Sequence, residues 1–150
     1  MPRTNITEPV RKYTSSRGDL TAAFLVPQTP GATLQAEIDA FLAVNRDRAY
    51  AGFNMLLLSP SRTASPGSGG LAFDGAILTN SGGGGKITSR ALSEDERLCG
   101  GLSNGLTDPG APAWPKVEHG RTAFAHDVLD TLPRDATEAE IVERLFALLT

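Results

Sequence analysis

The apolar pattern of this chain changes its period twice, and that change limits the folds open to it. Up to Asn45 the apolar residues recur every three or four positions: Leu20, Ala23 and Phe24, then Leu34, Ile38, Phe41 and Leu42. Such spacing lines one face of a helix. From Gly52 the chain reads Gly-Phe-Asn-Met-Leu-Leu-Leu and is closed by Ser59-Pro60, the signature of a short buried strand. After Lys116 the helical spacing returns with Val117, Phe124 and Val128. Helices, then strands, then helices predict an α+β arrangement with mainly antiparallel pairing.

Local punctuation sharpens the boundaries. Ser16, with Asp19 three residues on, opens the first helix, and Pro27 stops it. The second helix begins near Thr33 and ends at the polar run Asn45-Arg46-Asp47-Arg48. A long Ser/Gly/Pro-rich hairpin loop, Ser59 to Gly70, leads into a second strand from Leu71 to Leu78, where Asp74-Gly75 reads as a kink or bulge. A weak third strand spans Lys86 to Leu92, and Glu94-Asp95-Glu96-Arg97 reads as a solvated turn. A helix over Lys116 to Leu132 is weakened by Gly120. Thr137 and Glu140 form the capping box of a last helix, with Ile141, Leu145, Leu148 and Leu149 on its inner side.

Composition excludes several classes. The chain has 150 residues, enough for one ordinary domain, and its 16 Gly and 10 Pro imply extensive loop. With 14 Lys and Arg against 17 Asp and Glu, it has no basic stripe for nucleic acid. Its single cysteine, Cys99, excludes an internal disulfide or a Cys-rich zinc site, and reads as a small buried residue. Met1 to Lys12 lacks the apolar core of a signal peptide, and the densest apolar run, Met55 to Leu58, is far too short to span a membrane. A soluble, intracellular, cytoplasmic protein is expected.

Three patterns carry candidate chemistry. Gly82 to Lys86 resembles a phosphate loop, but Asn80 and Ile87 stand where a Walker A motif requires Gly and Ser or Thr. Gly101-Leu102-Ser103-Asn104-Gly105 fits the G-x-S-x-G nucleophile elbow, making Ser103 an alternative nucleophile, with Asp108, His119, His126 and Asp127 downstream. Against it, a charged stretch precedes the motif and Asp108-Pro109-Gly110 follows it. His119 and His126 are seven residues apart on one helix face, which is either a solvated face or a pair of ligands for haem iron or another metal. Trp114, between Pro112 and Pro115, reads as an anchor packing a loop onto the core.

Several phrases, read in order, resemble one family. They are Thr4-Asn5, Glu8-Pro9 and Ser16-Arg17-Gly18-Asp19-Leu20; then Tyr50-Ala51-Gly52-Phe53-Asn54-Met55-Leu56; then Thr79-Asn80-Ser81-Gly82-Gly83. The last is Gly101-Leu102-Ser103-Asn104-Gly105, followed by Trp114-Pro115-Lys116-Val117 and Gly120. Together they are similar to the NRDE-motif family, also called the transport and Golgi organisation protein 2 family. The family's N-terminal cysteine and Asn-Arg-Asp-Glu stretch have no counterpart here, since Asn45-Arg46-Asp47-Arg48 lies at the end of the second helix. By resemblance, residues 1–150 form a single partial domain, the family's central portion without either end, and the strands are expected to leave an apolar face or a sheet edge exposed.

The resemblance implies an incomplete N-terminal-nucleophile-hydrolase-like fold, with sheets layered between helices. It also implies roles in Golgi organisation and secretory traffic, and in haem or lipid (acyl-CoA) homeostasis. A small-molecule ligand, haem or acyl-CoA, and Golgi or mitochondrial association follow from the same source. In the hydrolase analogy Asn104, and second Asn5, are oxyanion-stabilising candidates, and His119 and His126 are the candidates for haem. Pro2 offers no nucleophile, so the chain by itself is expected to be non-catalytic; the alternative is an amide or acyl hydrolase in a longer form.

Overall fold

The structure is a computed structural model and describes residues 13, 15–25, 31–45, 47–61, 72–80, 85–103 and 113–148. Two helices come first, α1 (Arg17–Leu25) and α2 (Leu34–Asn45). Both are capped by the hydroxyl residue the sequence offers. Ser16 Oγ accepts from Gly18 N–H at 3.2 Å, and Thr33 Oγ1 accepts from Ala36 N–H at 3.2 Å. Three strands follow, β1 (Asn54–Pro60), β2 (Phe73–Thr79) and β3 (Thr88–Ala91), in one antiparallel sheet of order β1-β2-β3. The α+β class and the antiparallel pairing are as expected.

The helices cover one face of the sheet. Leu20 from α1, Leu34, Ile38 and Phe41 from α2, Leu57 from β1, and Ala76 and Leu78 from β2 form the core with Tyr50. Strand geometry sends alternate side chains to opposite faces, so Leu56 and Leu58 turn away from this core. Leu58 is 59 % exposed and Phe73 44 %. The sheet therefore leaves an apolar face open, as the sequence led us to expect.

The kink read at Asp74-Gly75 is not there. Pairing runs unbroken through Ser59↔Asp74 and Leu58↔Gly75. Gly75 is required for space instead: a Cβ would stand 3.0 Å from Leu92 Cγ and 3.3 Å from Leu58 Cδ2. The turn read at Glu94 to Arg97 is also corrected, to a short helix, α3 (Glu94–Cys99). Its four charged residues hid a full capping box, in which Ser93 Oγ accepts from Glu96 N–H while the Glu96 carboxylate accepts from Ser93 N–H.

The C-terminal third is α4 (Pro115–Ala123), a π-helical turn at Phe124–Leu129, and α5 (Glu138–Ala147). Gly120 sits inside α4, where glycine costs about 1 kcal/mol relative to alanine. The π turn is closed by Asp130 N–H donating to Ala125 O at 2.9 Å, and Val128 is buried. Thr137 and Glu140 cap α5 as read. The inner side expected of α5 is a further correction, because no residue of this helix is buried and Phe146 is 65 % exposed. Leu148 is half-buried, and Leu149 lies outside the described residues.

A buried polar relay ties these parts together. Asn45 Nδ2 donates to Phe41 O at 2.9 Å, and its Oδ1 accepts from Tyr50 Oη at 3.0 Å. Asn80, 1 % exposed, donates through Nδ2 to the carbonyls of Tyr50 at 3.0 Å and Ala51 at 3.2 Å. Its Oδ1 accepts from Phe53 N–H at 2.9 Å. One side chain thus satisfies three backbone groups at the entry to β1. Asn80→Ala strands all three, and a loss of about 2–3 kcal/mol is expected, read as a lower urea midpoint with an unchanged slope.

Charge couples β3 to α3 in the same way. The Arg90 guanidinium meets the Glu96 carboxylate through both oxygens, at 2.6 and 2.7 Å. Hydrogen bonding from Arg90, aided by Ser93 and opposed by partial burial, holds the Glu96 carboxyl down at about 2. A carboxyl with a depressed folded-state value stabilises above its unfolded value and loses that contribution as pH falls. The urea midpoint is therefore expected to decline from about pH 5 towards pH 2, and Glu96→Gln should flatten that decline.

Candidate functional site

Three segments converge at one end of the sheet: the start of β1, the end of β2, and residues 100–103 after α3. Asn54 opens β1 opposite Thr79, the last residue of β2. Its Oδ1 accepts from Thr79 Oγ1 at 2.7 Å, and its Nδ2 donates to the Ser103 carbonyl at 2.6 Å. The amide thereby fastens a segment 49 residues further along the chain to the sheet end. Asn80, the next residue after Thr79, holds the adjoining backbone. A second tether joins α3 to α4, where Arg121 Nε donates to Cys99 O at 3.0 Å and Cys99 Sγ lies 3.6 Å from Arg121 O.

Segment 100–103 separates two concavities. On one side is a trough of about 470 Å³ across the open sheet face, floored by Leu56, Leu58, Phe73 and Ile77 and walled by Leu92 and Leu102. Arg97 and Glu96 stand at its rim. On the other side is a groove of about 320 Å³ between this segment and α4. Ser103, Lys116, Gly120 and Arg121 line it, with Val117 and Phe124 below. Gly101 is shared, and it permits the close approach of α4: a Cβ there would lie 2.7 Å from Val117 Cγ1 and 3.0 Å from Arg121 Cγ.

The residues singled out by sequence fall unevenly on this geometry. Ser103 lines the groove, half-buried, and its carbonyl is the acceptor for Asn54. Among the described residues neither a histidine nor a carboxylate lines that groove, and Lys116 is the one lining side chain of a type that can serve as a base. The segment before it is helix α3 rather than the strand of a nucleophile elbow. Asn104 and Asn5 lie outside the described residues.

His119 and His126 are both exposed, and neither lines the trough or the groove. The π turn begins between them and changes the helical pitch. His126 Nδ1 lies 2.7 Å from Asp127 Oδ1, and that bond raises its pKa from the ordinary histidine value. Favouring imidazolium works against ligation of a metal, which needs the neutral ring. No cluster of three or more metal-binding side chains occurs among the described residues. Trp114 does not anchor a loop in the core; it is 49 % exposed, with Lys116 Nζ 5.0 Å from its ring centre. Cys99 is half-buried.

Asn54 and Asn80 are the residues that sequence reading passed over. Both lie within the phrases that carried the resemblance, but nothing local separates an amide that bridges strands from one in a turn.

An α+β sheet with helices on one face and paired concavities at its end is a class of architecture rather than an activity. The sequence model of the transport and Golgi organisation 2 family matches residues 3–150, and the chain belongs to that family. No curated protein and no solved structure gives a significant match. Among the described residues no helix is long and apolar enough to cross a membrane.

Asn54→Asp keeps the size of the side chain and its acceptor towards Thr79 but removes the donor to Ser103. The expected outcome is detachment of segment 100–103 before global unfolding. Limited proteolysis should cleave around it roughly ten times faster, while the urea midpoint falls by no more than about 1–2 kcal/mol equivalent.

Proposed function

We propose that this chain serves its family's role in transport and Golgi organisation as a ligand-binding domain, not as a catalyst. The ligand is a lipid-like molecule carrying an acyl chain, of the acyl-CoA class. The single observation that carries this reading is the trough. Leu56, Leu58 and Phe73 are exposed together on one sheet face, and apolar patches of that kind mark binding surfaces. The described lining supplies mainly aliphatic and aromatic contact, with Glu96 and Arg97 at the rim, and holds no histidine, cysteine or methionine for haem iron. An acyl chain is therefore favoured over haem. Such a carrier would work from the cytoplasmic side of Golgi or mitochondrial membranes.

The hydrolase alternative depends on a nucleophile and on Asn104 or Asn5, and no observation on the described residues favours it.

The test is titration of the chain with a fluorescent long-chain acyl-CoA. Saturable binding is expected, weakened about tenfold or more by Leu58→Asp, which places charge where the side chain already faces solvent. Binding should be unchanged in His119→Ala and His126→Ala, and haem should give no shifted Soret band. Absence of saturable acyl-CoA binding, or binding indifferent to Leu58→Asp, overturns the reading.

A further inference from the structure

Among its described lining residues, the groove between segment 100–103 and α4 carries charge of one sign. Lys116, Arg121 and Ser103 line it. The backbone N–H groups of Gly101, Leu102 and Ser103 make no hydrogen bond to any described residue. Among the described residues no Asp, Glu, Asn, Gln or His lines the groove; the Ser103 carbonyl is engaged by Asn54, and the carbonyls of Gly100, Gly101 and Leu102 are the backbone acceptors beside it. Arg121 spends Nε on Cys99 O and reaches Glu118 Oε1 through Nη1 at 3.4 Å, a loose contact that leaves Nη2 without a partner among the described residues. Two cationic residues with no acidic side chain among the described lining favour an acceptor-rich ligand.

Gly120 points the same way. Lys116, Gly120 and Phe124 follow one another at intervals of four residues and so share a face of the helix. A Cβ at Gly120 would meet nothing within 4 Å. Unlike Gly75 and Gly101, it answers no packing demand of the described residues, although glycine weakens the helix there. What its missing side chain leaves is open space at the level of the helix backbone, in a groove lined by Arg121 and by Lys116, whose ammonium also lies 5.0 Å from the Trp114 ring centre.

We propose that this groove binds an oxyanion, the phosphate or carboxylate end of a small molecule, between Lys116 and Arg121 over Gly120. The proposal rests on the acyl-ligand reading in that it gives the polar end of such a molecule a place. Segment 100–103, shared by trough and groove, lies between the two ends.

The probes are inorganic pyrophosphate and acetate, titrated separately into the full chain at low salt and followed by NMR of the chain's amides and of phosphorus. Saturable binding of at least one is expected, with shifts confined to residues 100–103 and α4. It should weaken at least about tenfold in Lys116→Gln and in Gly120→Val, and with added salt. Lys116 is exposed and Gly120 is open, so circular dichroism should show both variants folded; Arg121→Gln, which also loses the Cys99 tether, is the less clean variant. Pyrophosphate binding without acetate binding supports the proposal and assigns a phosphate; binding of acetate as well supports it and admits a carboxylate. No saturable binding of either anion, or binding indifferent to both variants, overturns it. A chain that binds the acyl probe but neither anion overturns this proposal and leaves the trough reading standing. A chain that binds an anion in the groove but no acyl probe does the reverse.

Discussion

The carboxamide of Asn80 is the interaction on which the rest of the structure depends. It is buried, and every polar atom it carries is satisfied by backbone of the segment entering β1. Buried amides that are fully bonded are costly to disturb and specify one arrangement. Tyr50 passes the constraint on: its carbonyl is held by Asn80 and its hydroxyl by Asn45, which closes the end of α2. The helical layer and the sheet are thus joined by bonds of fixed length as well as by apolar packing. The site end of the sheet inherits that fixity, because Asn54 and Thr79 are the immediate neighbours of Phe53 and Asn80.

What was legible in the sequence was local. α1 and α2 announced themselves by three-to-four spacing behind Ser16 and Thr33, and β1 by an unbroken apolar run. The capping box of α5 was plain, yet the sequence could not say whether Ile141 and Leu145 would find cover, since burial is decided by other segments. α3 was hidden because Glu94 to Arg97 look solvated until Arg90, on the neighbouring strand, claims Glu96. The π turn has no sequence signal of its own. The same limit applies to the site. Ser103 and its glycines drew attention as a motif, but the carboxamide of Asn54 acts over 49 residues, a distance no periodicity encodes.

The glycines divide by their physical reasons. Gly75 yields to Leu92 across the sheet, and Gly101 yields to α4. Gly120 yields to nothing among the described residues, and Lys116 and Arg121 line the groove beside it. Membership of the transport and Golgi organisation 2 family covers residues 3–150 and does not distinguish these roles; the geometry does.

One consequence of the sheet concerns how the chain finds its pairing. Met55-Leu56-Leu57-Leu58 is apolar at every position, so sliding β1 by one residue exchanges one greasy face for another. Hydrophobicity alone gives the strand no address. The address is written in amides: Asn54 must face Thr79, and Phe53 must reach Asn80, before the bonds at the sheet end can close. A strand this ambiguous has its alignment fixed from its first residue, and the same residue holds segment 100–103 between the trough and the groove. Errors in folding and errors in the site would then share a single cause.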